Sequence, residues 1–273
     1  TATVVLSDYA LKAGETATVT ITFSEAVTGF DNTDLVVSNG ALTLMSSLDG
    51  DITFTGTFTP TVDFEDATNI ISLDNTLVAD LAGNVGTGTT SSSNFTIDTK
   101  RPTATVVLSD YALKAGETTT VTITFSEAVT GFDNSDLFVP NGALTLMSSL
   151  DGNITFTGTF TPTSDFEDAS NIISLNNTLV ADLAGNAGTG TISSSNFAID
   201  TKRPTATVVL SDYALKAGET ATVTITFSET VTGFDNTDLV ISNGTLIPVA
   251  STDGDITFTG TFTPTSDFED ASN

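Results

Sequence analysis

The strongest constraint on this chain is that it repeats. The run Thr-Ala-Thr-Val-Val-Leu-Ser-Asp begins at Thr1, at Thr103 and at Thr205, a period of 102 residues. The first two copies differ at 11 of these 102 positions, so whatever one copy folds into, the other must fold into as well. The third stops at Asn273, the counterpart of Asn69, and lacks its last third. The junction Asp98-Thr99-Lys100-Arg101-Pro102 closes one copy and leads straight into the next, returning as Asp200 to Pro204 with no flexible spacer. A unit of about 100 residues is an ordinary single-core domain, not a small repeat that needs neighbours to fold. The sequence therefore reads as domains 1–102, 103–204 and an incomplete 205–273, a piece of a longer array.

Within one copy the hydrophobic pattern has a period of two, the strand period. Val4 and Leu6 alternate with Thr3 and Val5; Ala17, Val19, Ile21 and Phe23 face one way, and Thr18, Thr20 and Thr22 the other. Leu35 and Val37 open a third strand ending at Asn39-Gly40, a turn dipeptide, and Leu42 and Leu44 give a fourth. Asp49-Gly50 turns into a fifth, where Ile52, Phe54 and Phe58 alternate with threonines. After the acidic loop Asp63-Phe64-Glu65-Asp66, Ile71 and Leu73 mark a sixth, and Phe95 and Ile97 point inward from a seventh. Differences between copies agree with these faces. Val36 becomes Phe138 and Thr96 becomes Ala198 at outward positions, while Pro140 and Pro248 fall in strands three and four and mark edges. No stretch reads as a helix. The expected fold is all-β: tandem immunoglobulin-like β-sandwich domains of seven strands each.

An odd number of up-and-down strands leaves the two termini of a domain at opposite ends, so copies joined directly are expected to stack end to end as a rod. Strands of about ten residues make each unit about 35–45 Å long. The first turn (Asp8, Glu15) and the Asp63-Glu65-Asp66 loop then lie beside the outgoing linker. The Glu25-Asp31-Asp34 turn, the Asp49-Gly50 hairpin and the Asp80–Asn84 loop lie at the opposite end. Stacking brings the acids of one end against those of the other.

Charge makes that meeting costly. The chain has 34 acidic and 7 basic residues, a net charge of −27, with no Cys, His or Trp. Such a charge repels nucleic acid and anionic membrane surfaces. No stretch reads as a signal or transmembrane segment, so membrane insertion is not expected. Like charges in contact cost on the order of a kcal/mol per pair even in water. Lys12, Lys100 and Arg101 are too few to neutralise the junction, and a hard divalent cation is the economical solution. All-oxygen sites of Asp, Glu, Asn and carbonyl groups suit Ca²⁺, whereas the absence of His and Cys argues against zinc and copper. The plain alternative is that acidic loops only keep a rod soluble or suit it to high salt. Clustering of acids at both poles, with threonine on the exposed strand faces, weighs against it.

The candidate ligands are Asp98 and Asp200 at the linkers; Asp80, Asn84, Asp182 and Asn186 in the Asp-Leu-Ala-Gly-Asn loop; and Glu25, Glu127 and Glu229 after strand two. Asp34, Asp136 and Asp238 before strand three, Asp8, Asp110 and Asp212 in the first turn, and Glu65, Asp66, Glu167 and Asp168 in the acidic loop complete the set. The Asp80 loop and Asp34 read equally well as side-chain-capped turns. Asp51 becomes Asn153 and Asp74 becomes Asn176, so neither carboxylate is needed in every copy. Catalysis finds no support: there is no His or Cys, and the same carboxylates recur in unit after unit. Carbohydrate binding usually wants an exposed aromatic platform, and the 18 Phe sit mostly at inward positions.

The strings Leu11-Lys12-Ala13-Gly14-Glu15-Thr16, Phe23-Ser24-Glu25-Ala26-Val27-Thr28-Gly29-Phe30, Asn39-Gly40, Asp80-Leu81-Ala82-Gly83-Asn84 and Ile97-Asp98-Thr99 together resemble the bacterial immunoglobulin-like extender repeats of giant RTX adhesins. The resemblance covers each copy end to end. It implies an extracellular spacer exported by type I secretion, with Ca²⁺ at domain junctions held by Asp80, Asp98, Glu25 and their copies. The reading that results is a calcium-rigidified extender of a bacterial cell-surface adhesin, carrying a distal binding domain away from the cell. Its partners are neighbouring repeats of the same chain in a monomeric rod, with no small-molecule substrate and no enzymatic activity. A glycan- or surface-binding adhesin module, or an acidic spacer without specific metal sites, are the alternatives.

Overall fold

The computed structural model describes residues 1–270. The chain forms two compact units, one of Thr1–Thr163 with Glu167–Asp200, the other of Ser164–Phe166 with Thr201–Asn273. In the first repeat the strands are β1 (Ala2–Leu6), β2 (Ala10–Lys12), β3 (Ala17–Phe23), β4 (Val27–Thr28), β5 (Leu35–Val37), β6 (Gly40–Leu42), β7 (Ser46–Ser47), β8 (Thr53–Pro60), β9 (Glu65–Asn69), β10 (Ile71–Asp74), β11 (Ala79–Asp80), β12 (Thr89–Ser91) and β13 (Phe95–Asp98). One layer has the order β1-β3-β8-β6, with β7 also on β8. The facing layer consists of the ladders β2-β13-β9 and β12-β10-β5, and a short β11-β4 pair closes one end. No α-helix occurs among the described residues, only short 3-10 turns, and no helix is long and apolar enough to cross a membrane.

The alternation decides the core. Val4, Leu6, Val19, Ile21 and Phe58 from one layer meet Leu11, Ile71, Leu73, Phe95 and Ile97 from the other, all buried, while Val36 and Phe138 stay 65% and 66% exposed. Phe58 and Phe95 pack edge to face at 5.5 Å across the layers. A second aromatic group, Phe23, Phe30 and Phe54, fills one end and recurs at Phe125, Phe132 and Phe156. At the core position of Ala17 the second repeat has a buried threonine, Thr119, whose hydroxyl accepts the Asp110 N–H at 2.9 Å.

Three local expectations are corrected. The first turn contains a strand: after Leu6 the chain crosses to the facing layer, and β2 runs parallel to β13, pairing Leu11 with Ile97. The acidic loop is a turn only up to Phe64. Glu65 and Asp66 lie in β9, opposite Asp98 and Ile97. The fourth strand breaks after Leu42, and Leu44 is 84% exposed. In the third repeat Pro248 falls in the same gap, between Gly244–Leu246 and Ala250–Ser251, where it removes no ladder bond.

Each complete repeat receives the chain at one end and releases it at the other. The leading end holds Thr1, whose carbonyl accepts the Ser24 N–H (2.8 Å), and Val27, whose N–H donates to Asp51 (3.1 Å). At the trailing end Thr99 is tied to Phe64 and Thr61, its hydroxyl donating to the Thr61 carbonyl at 2.7 Å. The third repeat forms one five-stranded sheet, with Val223, Ile225 and Phe258 buried. Val208 there is 56% exposed where Val4 and Val106 are 6% exposed. Truncating Phe160 (F160A) is expected to cost about 3–5 kcal/mol and Phe138→Thr less than about 0.5 kcal/mol, by denaturant unfolding of the full chain. Equal costs would contradict the two-layer assignment.

Candidate functional site

The junction of the first two repeats, inside one compact unit, gathers three carboxylates. Asp98 ends β13 of the first repeat. Glu127 follows the second repeat's Thr119–Phe125 strand, and Asp182 ends its Ala181–Asp182 strand. Pairing of Asp182 with Val129 holds it beside the Glu127 turn. The three carboxylates offer oxygens that all lie within 4.8 Å of one another.

Asn186 builds the site. Its backbone N–H and Nδ2 donate to the two oxygens of Asp182, each at 2.8 Å, a closure that Gly185 permits at φ +90. The same Nδ2 donates across the junction to the Asp98 carbonyl at 2.8 Å and, longer, to Asp98 Oδ1 at 3.4 Å. Its Oδ1 accepts the Ala13 N–H of the first repeat at 2.7 Å. The linker is gripped on either side: Arg101 Nη1 donates to the Ala187 carbonyl (2.6 Å) and Asn177 Nδ2 to the Pro102 carbonyl (2.9 Å). Asp182, Asn186 and Asn177 are each 2% exposed.

The acids of this cluster are uncomfortable. Burial, then the Asp182 charge, pushes the Asp98 carboxyl above its ordinary value, with Glu65 adding to the effect. Glu127 is raised by burial and by Asp182 and Asp98. Among the described residues the ion pairs are Lys12–Glu15, Lys114–Glu117 and Lys216–Glu219, each within a single turn, and none reaches the cluster.

A profile of the bacterial Ig-like domain matches residues 1–97, 98–199 and 200–273. The chain belongs to the bacterial Ig-like domain family. No curated protein sequence matches it. Among solved structures it is similar to the Escherichia coli adhesin FdeC (14% identity, covering 97% of this chain and 88% of that one, TM-score 0.34). It is also similar to the I9–I11 tandem of titin (8% identity, 98% and 91% covered, TM-score 0.33).

The other candidate residues of these Ig-like repeats sit elsewhere. Asp8 and Asp110 lie at the crossover between layers, and they and Asp212 each accept the N–H two residues on, at 3.0, 3.0 and 2.8 Å. Asp34, Asp136 and Asp238 close capping boxes, accepting from the N–H of Asp31, Asp133 and Asp235. Asp66 and Asp168 accept from Asn39 and Asn141 in the trailing half. Glu65 is exposed opposite Asp98, and Glu167 stands opposite Asp200, itself exposed. In the first repeat Glu25 and Asn84 are exposed, and Asp80, partly exposed, is held low by Asn84. Glu229 belongs to the second unit. Asn177 and the Ala13 N–H went unnoticed in the sequence, and Arg101 was read only as one of too few positive charges, because their bonds arise only where two repeats touch.

A raised carboxyl adds stability below its ordinary value and loses it as pH climbs through the raised one. Glu127, ordinarily at 4.5, makes only a 3.4 Å bond to Ser126. In chelator, the chain and its Glu127→Gln variant are therefore expected to melt together below about pH 4, with the variant melting higher near neutrality. A parent that melts higher at neutral pH would refute the repulsion.

Proposed function

We propose that this chain is a spacer of a bacterial cell-surface adhesin, with Ca²⁺ stiffening the junctions between its Ig-like repeats. The observation that carries the reading is the cluster Asp98–Glu127–Asp182, drawn from two repeats and reached by none of the ion pairs among the described residues. Its donor set fits a hard cation: three carboxylates, two of them driven up by burial and mutual charge, in a sequence without His or Cys. Asp98, Glu127 and Asp182 would hold the ion, which supplies the positive charge the site lacks. Asn186 turns its oxygen to Ala13 and its amide to the acids, so it positions ligands rather than acting as one.

The mechanism is mechanical. The linker has no slack, and Asp98 belongs to the last strand of one core while Glu127 and Asp182 belong to the next. With the acids ionised and no cation, their repulsion favours separation of the two repeats. With a cation shared between them, bending requires breaking the site. Family membership, the direct joining of repeats and the absence of a recognisable catalytic group support a structural role outside the cell. Type I secretion and the RTX setting extend this reading through the resemblance in the sequence.

Binding only the aligned state stabilises it by about 2.7 kcal/mol at a hundredfold excess over Kd. The chain is expected to melt higher in millimolar Ca²⁺ than in chelator at matched ionic strength, with little response to Mg²⁺, and Asp98→Asn or Glu127→Gln should abolish the shift from this junction. Identical melts in calcium and chelator would leave a plain acidic spacer.

A further inference from the structure

Four of the 11 differences between the first two repeats fall on one ladder of the facing layer or at its edge. In the first repeat this ladder is β12-β10-β5; in the second it is formed by Leu137–Phe138, Ser174–Asn176 and Thr191–Ser193. Val36 becomes Phe138 and Asp74 becomes Asn176, both at outward positions, and Ser38 becomes Pro140 just beyond the edge strand. Thr90 becomes Ile192, which turns inward opposite the buried Leu175. The outward changes together remove a charge and add an aromatic ring.

Phe138 is the only exposed phenylalanine of the two complete repeats, at 66%. The fold does not require it, since Val36 fills the same place in the sister repeat. The register sets it in a row with two serines: Phe138 pairs with Ser174, and Ser174 with Ser193. The serine hydroxyls lie 3.2 Å apart. One hydroxyl proton joins them, which leaves the other proton and several lone pairs for a ligand. Two residues along, Asn176 pairs with Thr191. Its Oδ1 accepts the Thr178 N–H (3.2 Å) and hydroxyl (2.7 Å), so its exposed amide nitrogen keeps both protons for other acceptors. Asp74 makes the same two bonds, which hold its carboxyl below the ordinary value, and it has no proton to give. No acidic or basic residue occurs in the three strands of this ladder of the second repeat.

We propose that this face of the second repeat is a contact site for a neutral glycan, with one pyranose ring stacked on Phe138 and the next hydrogen-bonded to Ser174 and Ser193. The face of an aromatic ring is electron-rich, and the C–H face of a pyranose offers the slightly positive hydrogens that suit it. Adjacent strands lie about 4.8 Å apart, close to the advance per ring of an extended glycan, so consecutive rings meet consecutive strands. Hydroxyls that both donate and accept, with an amide beside them, match the hydroxyl edge of a sugar. Loss of the Asp74 charge suits an uncharged partner, and a chain of net charge −27 repels an anionic one. A protein partner needs about 800 Å² of matched surface per side, whereas a single ring among small polar side chains suits a ligand of a few rings. The site lies within one repeat, involves no cation and stands whether or not the junction binds calcium.

The test is the full chain titrated in chelator with cellohexaose, chitohexaose and maltohexaose and followed by backbone ¹H–¹⁵N shifts. At least one glycan is expected to move the amides of Phe138, Ser174 and Ser193 while those of Val36, Ser72 and Ser91 stay in place. F138V carries the residue with which the first repeat folds, so it should melt as the parent does and bind at least about tenfold more weakly. N176D should weaken binding less. Conversely, V36F with D74N in the first repeat should add shifts at Ser72 and Ser91 and double the glycan bound. Silence of the Phe138, Ser174 and Ser193 amides toward all three glycans, or shifts that survive F138V, overturns the site. Dimerisation that F138V abolishes, with no response to glycan, also overturns it and makes a second copy of the chain the occupant.

Discussion

One side-chain amide, that of Asn186, ties the junction of the first two repeats together. It is held by its own loop through Asp182, accepts the Ala13 N–H of the preceding repeat and donates to the carbonyl that ends the preceding core. Each of these bonds is modest alone, about 1 kcal/mol net for a neutral pair and more with a carboxylate. Their consequence is positional. With Asn186 locked, Asp182 cannot turn away from Asp98, and Glu127 on the adjoining turn completes a cluster of three carboxylates that none of the ion pairs among the described residues reaches. The stiffness proposed for the chain and the chemistry proposed for its junction thus share one origin.

The way the chain enters each sandwich prepares this geometry. Its first stretch serves both layers, β1 on β3 and β2 on β13, with the crossover held by Asp8. Pairing β2 with the last strand places Lys12 beside Asp98, so the loop carrying Ala13 projects from the trailing end where the next repeat begins. A first turn without that strand would leave Ala13 unanchored, and Asn186 would lose its donor.

Much of the fold was legible in the residues. The period-two pattern of Ala17 to Phe23 and of Ile52 to Phe58 identified the central strands, and Pro140 and Pro248 identified edges. Leu11 was harder: three residues without alternation carry no strand signal, and only Ile97 on the opposite side of the repeat makes them one. Leu44 misled because an apolar residue two places after Leu42 looks inward, whereas the break in that strand turns it to solvent. At the site, Asp98, Glu127 and Asp182 could be named because the direct linker forces ends together. Which acids of an end actually meet depends on loop shapes, and Asp8, Asp34 and Asp66 are taken up by local N–H and amide donors instead.

The sequence by itself determined the repeat, the strand faces, the two ends and their surplus of acid, because these follow from period, side-chain parity and charge. Tertiary structure alone decided what identical residues become. Ala-Leu-Lys is a strand at Ala10–Lys12 and Ala112–Lys114 only through the last strand of the same repeat, Leu11 pairing with Ile97 and Leu113 with Ile199. Asp-Leu-Ala-Gly-Asn is a largely exposed turn in the first repeat, while in the second its Asp182 and Asn186 are buried against the preceding linker. A short segment carries too few hydrogen bonds to choose its own conformation, so its partner across the sheet, or across the junction, makes the choice.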